Sequence, residues 1–373
     1  MIYKLRDILK IRYGKNQKNV QDKNGKIPII GTGGIIGYAN TFLYNKPSVL
    51  IGRKGTIDNV KYIDSPFWTI DTLFYTEINE DIILPQYLFY KLSTLDLKNY
   101  DEGTTIPSLR TETLYEIEID IDTLDIQKKV IKVLSNIDNK IKLNNQTNDN
   151  LYEILKKLYN ELYLKNCSNE QWEYITLDET TSKFATGLNP RKNFVLGEGN
   201  NYYVTIKNMQ NNQIILDNKC DYIDDEAILK INKRSNLQKG DLLFSGIGTI
   251  GKVYLIDETP TNWNISESVF TMRPNELISS EFLYLLLLSS DMQNYSISLA
   301  SGSVQKGIRM TDLKKYKYKL PTIEFMTEFT DIVRPIIKKI YLNNKETNSL
   351  LQLRYTLLPK LMNGEIDLDK IEI

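Results

Sequence analysis

The sequence predicts an α+β protein in which two β-rich domains are joined by two long helices that form an antiparallel coiled coil within the chain. Two observations predict this fold. The second half of the chain repeats the first, and each half changes from short β-type runs to one long helical pattern. With 373 residues, of which 41% are hydrophobic, the chain is long and apolar enough for two domains with their own cores. We therefore expect a pseudo-two-fold internal repeat.

The internal repeat is clearest downstream of two glycines, Gly103 and Gly302. When these are aligned, at an offset of 199 residues, the match continues without a gap for about sixty residues. Chance similarity between two stretches rich in Asn, Lys and Ile is the alternative, and an ungapped register of this length argues against it. Upstream, where the loops differ in length, the matched segments are Ser48–Ile57 with Asp241–Ile250 and Tyr87-Leu88 with Phe282-Leu283.

Each half of the chain divides in the same way, which predicts four segments. Short β-type runs such as Ser48–Ile51 and Asp241–Phe244 are separated by Gly, Asn, Asp and Pro, and a long helical pattern follows them. The segments are a first β-rich domain at 1–122, a central helix at 123–166, a second β-rich domain at 167–321 and a C-terminal helix at 322–373.

The two helical segments carry apolar or neutral residues at steps of three or four, and the two stripes match in length and phase. A 4-4 spacing at Val133-Ile137-Ile141 indicates a stutter in the first stripe. Arg354 is the one break in the apolar series of the second. The first stripe is Ile126, Val130, Val133, Ile137, Ile141, Asn144, Asn148, Leu151, Leu155, Leu158 and Leu162. The second is Phe325, Phe329, Ile332, Ile336, Ile340, Asn343, Thr347, Leu350, Arg354, Leu357 and Leu361.

A helix of about 38 residues is about 57 Å long, too long for one small domain to cover, so we expect each helix to pair with its repeat mate. Asn144 and Asn343 would then specify the register, as polar residues at core positions do. The alternative is that each helix docks on its own domain. Pro335 is expected to kink or restart the second helix. The predicted core of the helix pair is Ile137, Ile141, Asn144, Leu151, Leu158, Ile336, Ile340, Asn343, Leu350 and Leu357.

The composition excludes several kinds of chemistry. The chain has no histidine, which rules out Ser-His-Asp and Cys-His nucleophiles and His-ligated zinc. Its two cysteines, Cys167 and Cys220, are too few for a disulfide framework or a thiolate metal site. The first residues are charged, unlike a signal peptide, and the longest apolar run is far too short to span a bilayer. We expect a cytoplasmic protein with no catalytic residue and no metal site.

One glycine-rich stretch imitates a nucleotide-binding loop. Gly246-Ile247-Gly248-Thr249-Ile250-Gly251 matches the pattern G-x-G-x-x-G, but such a loop must be followed by a helix whose N-terminus holds the phosphate. The residues that follow, Lys252–Ile256, are typical of a strand. The repeat mate, Gly52–Asp58, keeps the turn and loses the dinucleotide pattern. We therefore predict two hairpin turns and no nucleotide site.

Charge is unevenly distributed although the chain has 47 basic and 47 acidic residues. Residues 1–65 contain twelve Lys or Arg and four Asp or Glu, which favours a DNA face on the first domain. The segments after Gly103 and Gly302 contain side-chain hydroxyls or amides followed by Arg110 or Arg309, and such groups can contact bases or phosphates. The alternatives are solvated lysines and arginines that simply pair with Glu112 and Asp312. The candidate DNA-binding residues are Lys10, Arg12, Lys15, Lys18, Arg53, Lys54, Thr104, Thr105, Arg110, Lys183, Arg191, Lys192, Lys207, Asn208, Gln305, Lys306 and Arg309.

Taken together, these features resemble the specificity (S) subunit of type I restriction–modification systems, over essentially the whole chain. The resemblance rests on the tandem order of β-rich domain and helix, on the hairpins at 50–57 and 243–250, and on the Gly-Thr/Ser segments before each helix. It rests also on the C-terminal segment Leu358-Pro-Lys-Leu-Met-Asn-Gly-Glu-Ile366. The target-recognition domains of this family vary between members, so base-reading residues are not transferred by position.

The resemblance implies that each β-rich domain is a target-recognition domain that reads one half of a bipartite double-stranded DNA site. The helices would set the gap and dock two methyltransferase subunits. The chain itself would catalyse nothing. S-adenosylmethionine would belong to the methyltransferase, and ATP and Mg²⁺ to restriction subunits, two of which are expected where they are present.

Three alternatives remain open at this point. The first is a specificity subunit of a related, type II-like enzyme. The second is a restriction enzyme with its own active site, which the lack of an Asn/Asp-Pro-Pro-aromatic segment argues against. The third is a coiled-coil scaffold that does not bind DNA, which the basic cluster at 1–65 argues against.

Overall fold

The computed structural model describes residues 1–302, 306–366 and 368. The chain forms two compact units, and each has a mixed α+β composition as predicted. The first unit contains Met1–Lys142 and the chain from Thr347 onward, and the second contains Leu143–Glu346. Each unit therefore includes part of both long helices.

The first unit begins with short strands and helices and leads into the first long helix, which belongs to this unit up to Lys142 and to the second unit from Leu143. Its elements are β1 (Ile2–Lys4), α1 (Leu5–Ile8), β2 (Leu9–Tyr13), β3 (Ile27–Gly31), β4 (Gly34–Ala39), β5 (Ser48–Gly52), β6 (Lys61–Ile63), β7 (Trp68–Thr69), β8 (Leu73–Ile78), α2 (Pro85–Ser93), α3 (Thr111–Tyr115), β9 (Glu118–Asp120) and α4 (Leu124–Leu158).

Three small sheets make up the β part of the first unit. The largest is antiparallel with the strand order β2-β8-β5-β6. A second has the order β4-β3-β7, in which β3 is antiparallel to β4 and parallel to β7. The third pairs β1 with β9 and brings the start of the chain to the segment just before α4.

The second unit has a similar series of elements and leads into the second long helix, which belongs to this unit up to Glu346 and to the first unit from Thr347. Its elements are β10 (Glu173–Thr176), β11 (Thr181–Thr186), β12 (Asn201–Val204), β13 (Met209–Gln210), β14 (Gln213–Ile214), β15 (Asp221–Ile223), α5 (Asp225–Asn232), β16 (Leu242–Ser245), β17 (Val253–Leu255), β18 (Trp263–Ile265), β19 (Val269–Pro274), α6 (Ser280–Leu288), α7 (Ser290–Ser298), α8 (Met310–Leu313), β20 (Lys317–Leu320) and α9 (Ile323–Met362).

The sheets of the second unit repeat the topology of the first. The large sheet has the order β11-β19-β16-β17, again antiparallel throughout. In the second sheet, β12 is antiparallel to β15 and parallel to β18, as β3 is to β4 and β7. β10 pairs with β20 just before the long helix, as β1 pairs with β9. The internal repeat is therefore confirmed in strand order and direction.

The two long helices run antiparallel in each unit. In the first unit, Val130 and Leu134 of α4 share one core with Leu358 and Leu361 of α9. In the second unit, Asn148 of α4 bonds to Asn344 of α9, and further along α4 the Tyr159 ring contacts the ring of Phe329, which lies earlier in α9. The predicted antiparallel helix pair is confirmed.

The buried stripe of the pair differs from the predicted one at matching places in the two repeats. Leu134 and Val333 are buried, whereas Val133 is half-buried and Ile332 is 44% exposed. Ile126 is also exposed, at 39%. With Leu134 in the stripe, the steps between Val130 and Asn148 alternate between three and four, so the stutter predicted near Ile137 is wrong.

Consecutive steps of four occur instead at Leu155, Tyr159 and Tyr163, all of which are buried. Tyr159–Tyr163 is a π-helical turn, which carries an extra residue per turn and so keeps these side chains on the core side.

The ten predicted core positions of the helix pair all face the interior to some degree. Ile137, Asn144, Ile340 and Asn343 are buried. The half-buried positions are Ile141, Leu151, Leu158, Ile336, Leu350 and Leu357.

α9 runs from Ile323 to Met362 without interruption, so the restart expected at Pro335 is wrong. Proline leaves the carbonyl of Asp331 without its helical donor. Both residues are exposed, so water can solvate that carbonyl and the helix continues.

Candidate nucleic-acid interface

The two glycine-rich stretches are hairpin turns, as predicted. One joins β5 to β6 and the other joins β16 to β17, and both strand pairs are antiparallel. Gly55 has φ +84° and Gly248 has φ +82°, a left-handed conformation that favours glycine. These two glycines are equivalent in the repeat. A strand, not a helix, follows the second turn, so neither stretch is a phosphate-binding loop.

In the first unit, this turn pairs with the segment that precedes α3. The Gly55 amide donates to the Pro107 carbonyl over 2.9 Å, and the Leu109 amide donates to the Arg53 carbonyl over 2.9 Å. Lys54 and Ser108 form a β-bridge between these two bonds. The structure thus brings Arg53 and Lys54 together with the segment that carries Thr104, Thr105 and Arg110.

The second unit repeats this pairing bond for bond. The Gly248 amide donates to the Lys306 carbonyl over 2.7 Å, and the Ile308 amide donates to the Gly246 carbonyl over 2.9 Å. Ile247 and Gly307 form the equivalent bridge. The exposed side chains of Lys306 and Arg309 therefore lie on a segment that is paired with this turn. Gln305, another candidate, lies outside the described residues.

Asp101 shapes the segment of the first unit. Its Oδ1 accepts hydrogen bonds from the amides of Gly103 and Ser108, both over 2.8 Å. These two bonds hold the pKa of Asp101 below its ordinary value, because they favour the carboxylate. Thr104 and Thr105 lie between the two amides and are exposed.

The two arginines that follow these segments have different surroundings. Arg110 Nε lies 3.2 Å from Glu102 Oε2, so its ion pair is with Glu102. The pKa of the expected partner, Glu112, is lowered by a backbone hydrogen bond and by Thr111, and the charge of Arg110 adds to this lowering. The expected partner of Arg309, Asp312, contacts Lys315 over 2.8 Å. Arg309 is exposed and adds to the lowering of the pKa of Asp312, after the Lys315 contact.

The basic residues of the first unit differ in how many contacts their side chains make. Arg53 stacks over the ring of Tyr13, 5.0 Å from its centroid, and Nη1 donates to the Asp71 carbonyl over 2.9 Å. Arg12 is exposed but makes two hydrogen bonds to Glu77, over 3.0 and 3.1 Å, and this pairing raises its pKa. The candidate lysines Lys10, Lys15, Lys18 and Lys54 are all exposed.

In the second unit, Arg191, Lys192 and Lys207 are exposed, whereas Lys183 is half-buried and burial lowers its pKa. Asn208 is buried and bonds internally: Oδ1 accepts from the Thr205 amide over 2.8 Å, and Nδ2 lies 2.9 Å from Cys220 Sγ. The prediction that Asn208 contacts DNA is not carried further, because both ends of its amide are used inside the unit.

Two hairpin tips near the same sheets were not singled out by sequence. The β3–β4 tip of the first unit exposes Ile35, at 60%, and Ile36. Lys61 Nζ holds this tip by donating to the carbonyls of Gly31 and Thr32, over 3.1 and 2.7 Å, and burial lowers its pKa. The Gly33-Gly34 pair between apolar runs was the available signal.

In the second unit, the connection between β12 and β15, the counterparts of β3 and β4, contains a hairpin with a polar tip. Asn211 and Asn212 turn between β13 and β14 with φ 49° and 56°. Lys252 Nζ donates to the carbonyls of Ile206 and Met209 just before this turn, over 3.1 and 2.6 Å. Lys252, from the β16–β17 hairpin, thus holds this tip by bonding to two backbone carbonyls, as Lys61 holds the tip of the first unit.

The family described as the type I restriction modification DNA specificity domain matches the chain over residues 1–153 and 169–352. The chain belongs to this family. The two matched stretches correspond to the two repeats, so the chain carries the specificity domain twice.

Relatives of known type match most of this specificity protein. The MjaIX specificity subunit of a type I restriction enzyme from Methanocaldococcus jannaschii is 22% identical over 349 residues, 88% of this chain and 80% of the relative. The HindI specificity subunit from Haemophilus influenzae is 23% identical, with 84% of each chain covered. The crystal structure of a type I S subunit from M. genitalium has the same fold, with a TM-score of 0.65 at 18% identity over 97% of this chain and 95% of that one.

Neither a metal-binding cluster nor a membrane-spanning helix occurs in the described part of this specificity protein. Within residues 1–302, 306–366 and 368, no three Cys, Asp or Glu side chains cluster as a metal site would require. Among the helices that the structure describes, none combines the length and the apolar character needed to cross a membrane.

Proposed function

We propose that this chain is the DNA sequence-specificity subunit of a type I restriction–modification complex and that each unit reads one half of a bipartite double-stranded site. The observation that carries the proposal is the recurrence, in both units, of the same turn paired with the same pre-helix segment. Two equivalent surfaces with different side chains suit a target made of two different half-sites, because the scaffold is shared while the contacts differ.

The exposed lysines would supply the contacts that do not depend on sequence. Lys15, Lys18 and Lys54 in the first unit, and Lys192 and Lys306 in the second, would neutralise phosphates and release counterions. Arg110 and Arg309 would contact phosphates or guanine edges from the paired segments. The zero net charge of the chain supports a shared task, in which methyltransferase subunits contribute further phosphate contacts.

The hairpin tips would supply contacts that depend on sequence. Ile35 and Ile36 are apolar and suit the methyl groups of thymine, whereas the exposed Asn211 suits the donor and acceptor pair of adenine. The different chemistry of the two tips supports two different half-sites.

The helices would set the distance between the half-sites and dock two methyltransferase subunits, to which restriction subunits attach. The antiparallel pairing of α4 with α9 in each unit supports this role. In this scheme 1–122 and 167–321 are the target-recognition domains, and 123–166 and 322–373 are the spacer helices. Bound half-sites would fix the place where each methyltransferase flips out its adenine.

The chain would contribute recognition and no reaction. S-adenosylmethionine would bind to the methyltransferase, and ATP and Mg²⁺ to the restriction subunit, all in the cytoplasm. The family membership supports this division of labour.

The test is selection of DNA from a random-sequence library by the complex of this chain with its methyltransferase. We expect enrichment of two short motifs separated by a gap of fixed length, with binding that weakens steeply as salt rises. The control is the methyltransferase without this chain, which should enrich nothing. A single contiguous motif would favour a type II-like enzyme, and no enrichment would favour a scaffold that does not bind DNA.

A further inference from the structure

A polar triad joins the two long helices to α2 in the first unit. Arg354 Nε of α9 lies 2.7 Å from Asp138 Oδ1 of α4, and the hydroxyl of Tyr90 in α2 donates to Asp138 Oδ2 over 2.8 Å. The Nε–H bond is not directed at Oδ1, so the Arg354 contact is an ion pair and not a hydrogen bond. Tyr90 is buried, and the side chains of Arg354 and Asp138 are 26% and 33% exposed.

The equivalent positions of the second unit are apolar. The helix offset of 199 residues relates Asp138 to Ile337 and Leu155 to Arg354, and the match of Tyr87-Leu88 with Phe282-Leu283 relates Tyr90 to Leu285. Leu155 and Leu285 are buried in one core, and Ile337 packs against it. One repeat thus contains a Tyr–Asp–Arg triad at the place where the other contains Leu, Ile and Leu.

This difference matters because the repeat makes each helix a potential partner for a second copy of itself. If α4 paired with α4 of another chain in the native antiparallel register, Asp138 would face Leu155 of the second copy. If α9 paired with another α9, Arg354 would face Ile337. Each like-with-like pairing leaves a charged group in a half-buried site without its counter-charge, which is unfavourable, although solvent screens part of the cost.

The asparagines at the middle of the helices make this distinction only in part. Asn343 contacts Asn148, so a pairing of α4 with α4 would place Asn144 opposite Asn148, whereas a pairing of α9 with α9 would place Asn343 opposite Thr347, the repeat counterpart of Asn148. Within the described helix pair, the triad distinguishes the unlike helix from the like helix in both of these pairings.

During synthesis of the chain, α4 is complete before α9 exists, and in this interval α4 could pair with the α4 of another copy. α4 ends at Leu158 and α9 begins at Ile323. At about 5–20 residues per second, α4 waits on the order of 10–30 s for its partner, with its apolar stripe uncovered and other copies nearby on the same message.

We infer that Tyr90, Asp138 and Arg354 are a pairing code that makes α4 pair with α9 and that rejects like-with-like pairing with the α4 or the α9 of a second copy. The interaction that the code excludes is the pairing of a helix with the like helix of a second copy of this chain. The inference concerns assembly of the chain and does not depend on the proposed DNA recognition.

The test compares variants that each disrupt the native contact between α4 and α9. They differ in whether they permit α4 to pair with the α4 of a second copy. The double variant Tyr90→Leu/Asp138→Ile leaves Arg354 without its partner and makes α4 compatible with Leu155 of a second α4. The variant Arg354→Glu also disrupts the native pairing, but it leaves a carboxylate that suits neither a second α4 nor a second α9. The triple variant Tyr90→Leu/Asp138→Ile/Arg354→Leu gives the first unit the apolar set of the second.

Two full-length copies of each variant, carrying different tags, are co-expressed, and the fraction of one tag that co-purifies with the other is measured. We expect this fraction to be roughly tenfold higher for Tyr90→Leu/Asp138→Ile than for Arg354→Glu or the unmodified chain. Equal fractions for the two variants would overturn the inference, because destabilisation alone would then explain any association.

Hydrogen exchange of α2 in the same full-length proteins checks the contact itself. We expect protection of α2 to fall by roughly 10-fold or more in Tyr90→Leu/Asp138→Ile and in Arg354→Glu, and to return to the unmodified level in the triple variant. Lys360→Leu, at an exposed position on the same part of α9, is the matched control and should leave protection unchanged. A triple variant no better protected than Arg354→Glu would also overturn the inference.

Discussion

Asn343 of α9 donates a hydrogen bond from Nδ2 to Oδ1 of Asn148 in α4 over 2.8 Å, and both amides are buried. Asn148 in turn donates from Nδ2 to Asn344 Oδ1 over 2.6 Å, and Asn144 donates to Glu346 Oε2 over 2.9 Å. These bonds exist at one helix register only. A slip of one turn would leave buried amides without partners, which costs more than an apolar mismatch.

Replacement of Asn343 by leucine should destabilise the second unit by about 1–3 kcal/mol, because Asn148 then keeps a buried polar group without its donor. Urea unfolding of the full chain measures the change. Asn145→Leu, at an exposed position of α4, is the control and should change the free energy of unfolding by about 0.5 kcal/mol at most. An Asn343→Leu chain as stable as the control would show that the amides do not fix the register.

Insertion of four residues after Asn144 and after Asn343 should lengthen the gap between half-sites without changing their sequences. Four residues add about 6 Å and slightly more than one helical turn, so the apolar stripe keeps its direction approximately. The spacing moves by about two base pairs at about 3.4 Å each. DNA selection with the complex measures it. Altered half-sites at an unchanged gap would contradict the role of the helices as a spacer.

Lys15→Ala/Lys18→Ala should weaken binding to all DNA sequences alike, because phosphate contacts carry no sequence information. The slope of log K against log salt should become shallower by about 0.9 for each phosphate that the variant no longer neutralises. Titrations at several salt concentrations measure the slope. Lys128→Ala is the matched control, since Lys128 is an exposed lysine that pairs with Asp125 on α4 over 3.6 Å. Equal slopes for the two variants would show that Lys15 and Lys18 do not contact DNA phosphates.

Ile35→Ala/Ile36→Ala should relax recognition in one half-site and leave the other unchanged, with about 1–3 kcal/mol less discrimination at the positions the tip contacts. Asn211→Ala is the corresponding change in the second unit and should relax the opposite half. Selection from a random library with each complex distinguishes the two. Relaxation of both halves by either variant would be inconsistent with two independent reading units.

Asp101→Ala should loosen the segment between Gly103 and Ser108 and lower DNA affinity through the first half-site, because neither amide then has its acceptor. The pKa of Asp101 is lower in the folded protein than its ordinary value of 3.8, so its contribution is complete above that pH. As the pH falls through the lowered pKa, protonation removes the contribution. Hydrogen exchange of the two amides measures this, and protection that is equal in the variant and the unmodified chain would contradict it.

Much of the fold was predictable because the sequence contains the same pattern of elements twice. The ungapped match after Gly103 and Gly302 defines two equivalent helices, and the equivalent glycines Gly55 and Gly248 define the same turn. Periodicity alone did not identify the buried face at Val133 and Ile332. A stripe drifts around a helix as the packing surface changes, and the sheets that decide which side faces inward are not visible in the helix sequence.

The contacts between distant residues were less predictable than the elements. Arg354 was recognised as a break in the apolar stripe, but its partner Asp138 depends on the helix register and on the position of α2. Asn208 was assigned to DNA because it is polar, although its amide caps a turn and is buried. The hairpin tips at Ile35 and Asn211 were missed because exposure, not residue type, distinguishes them.

The most direct test of the central claim is a genome-wide map of methylated adenines in a host that expresses this chain with its neighbouring methyltransferase, compared with the same host without this chain. We predict a new bipartite motif, methylated in both halves, that appears only when the chain is present. A soluble complex of the two proteins that adds no methylation would contradict the account.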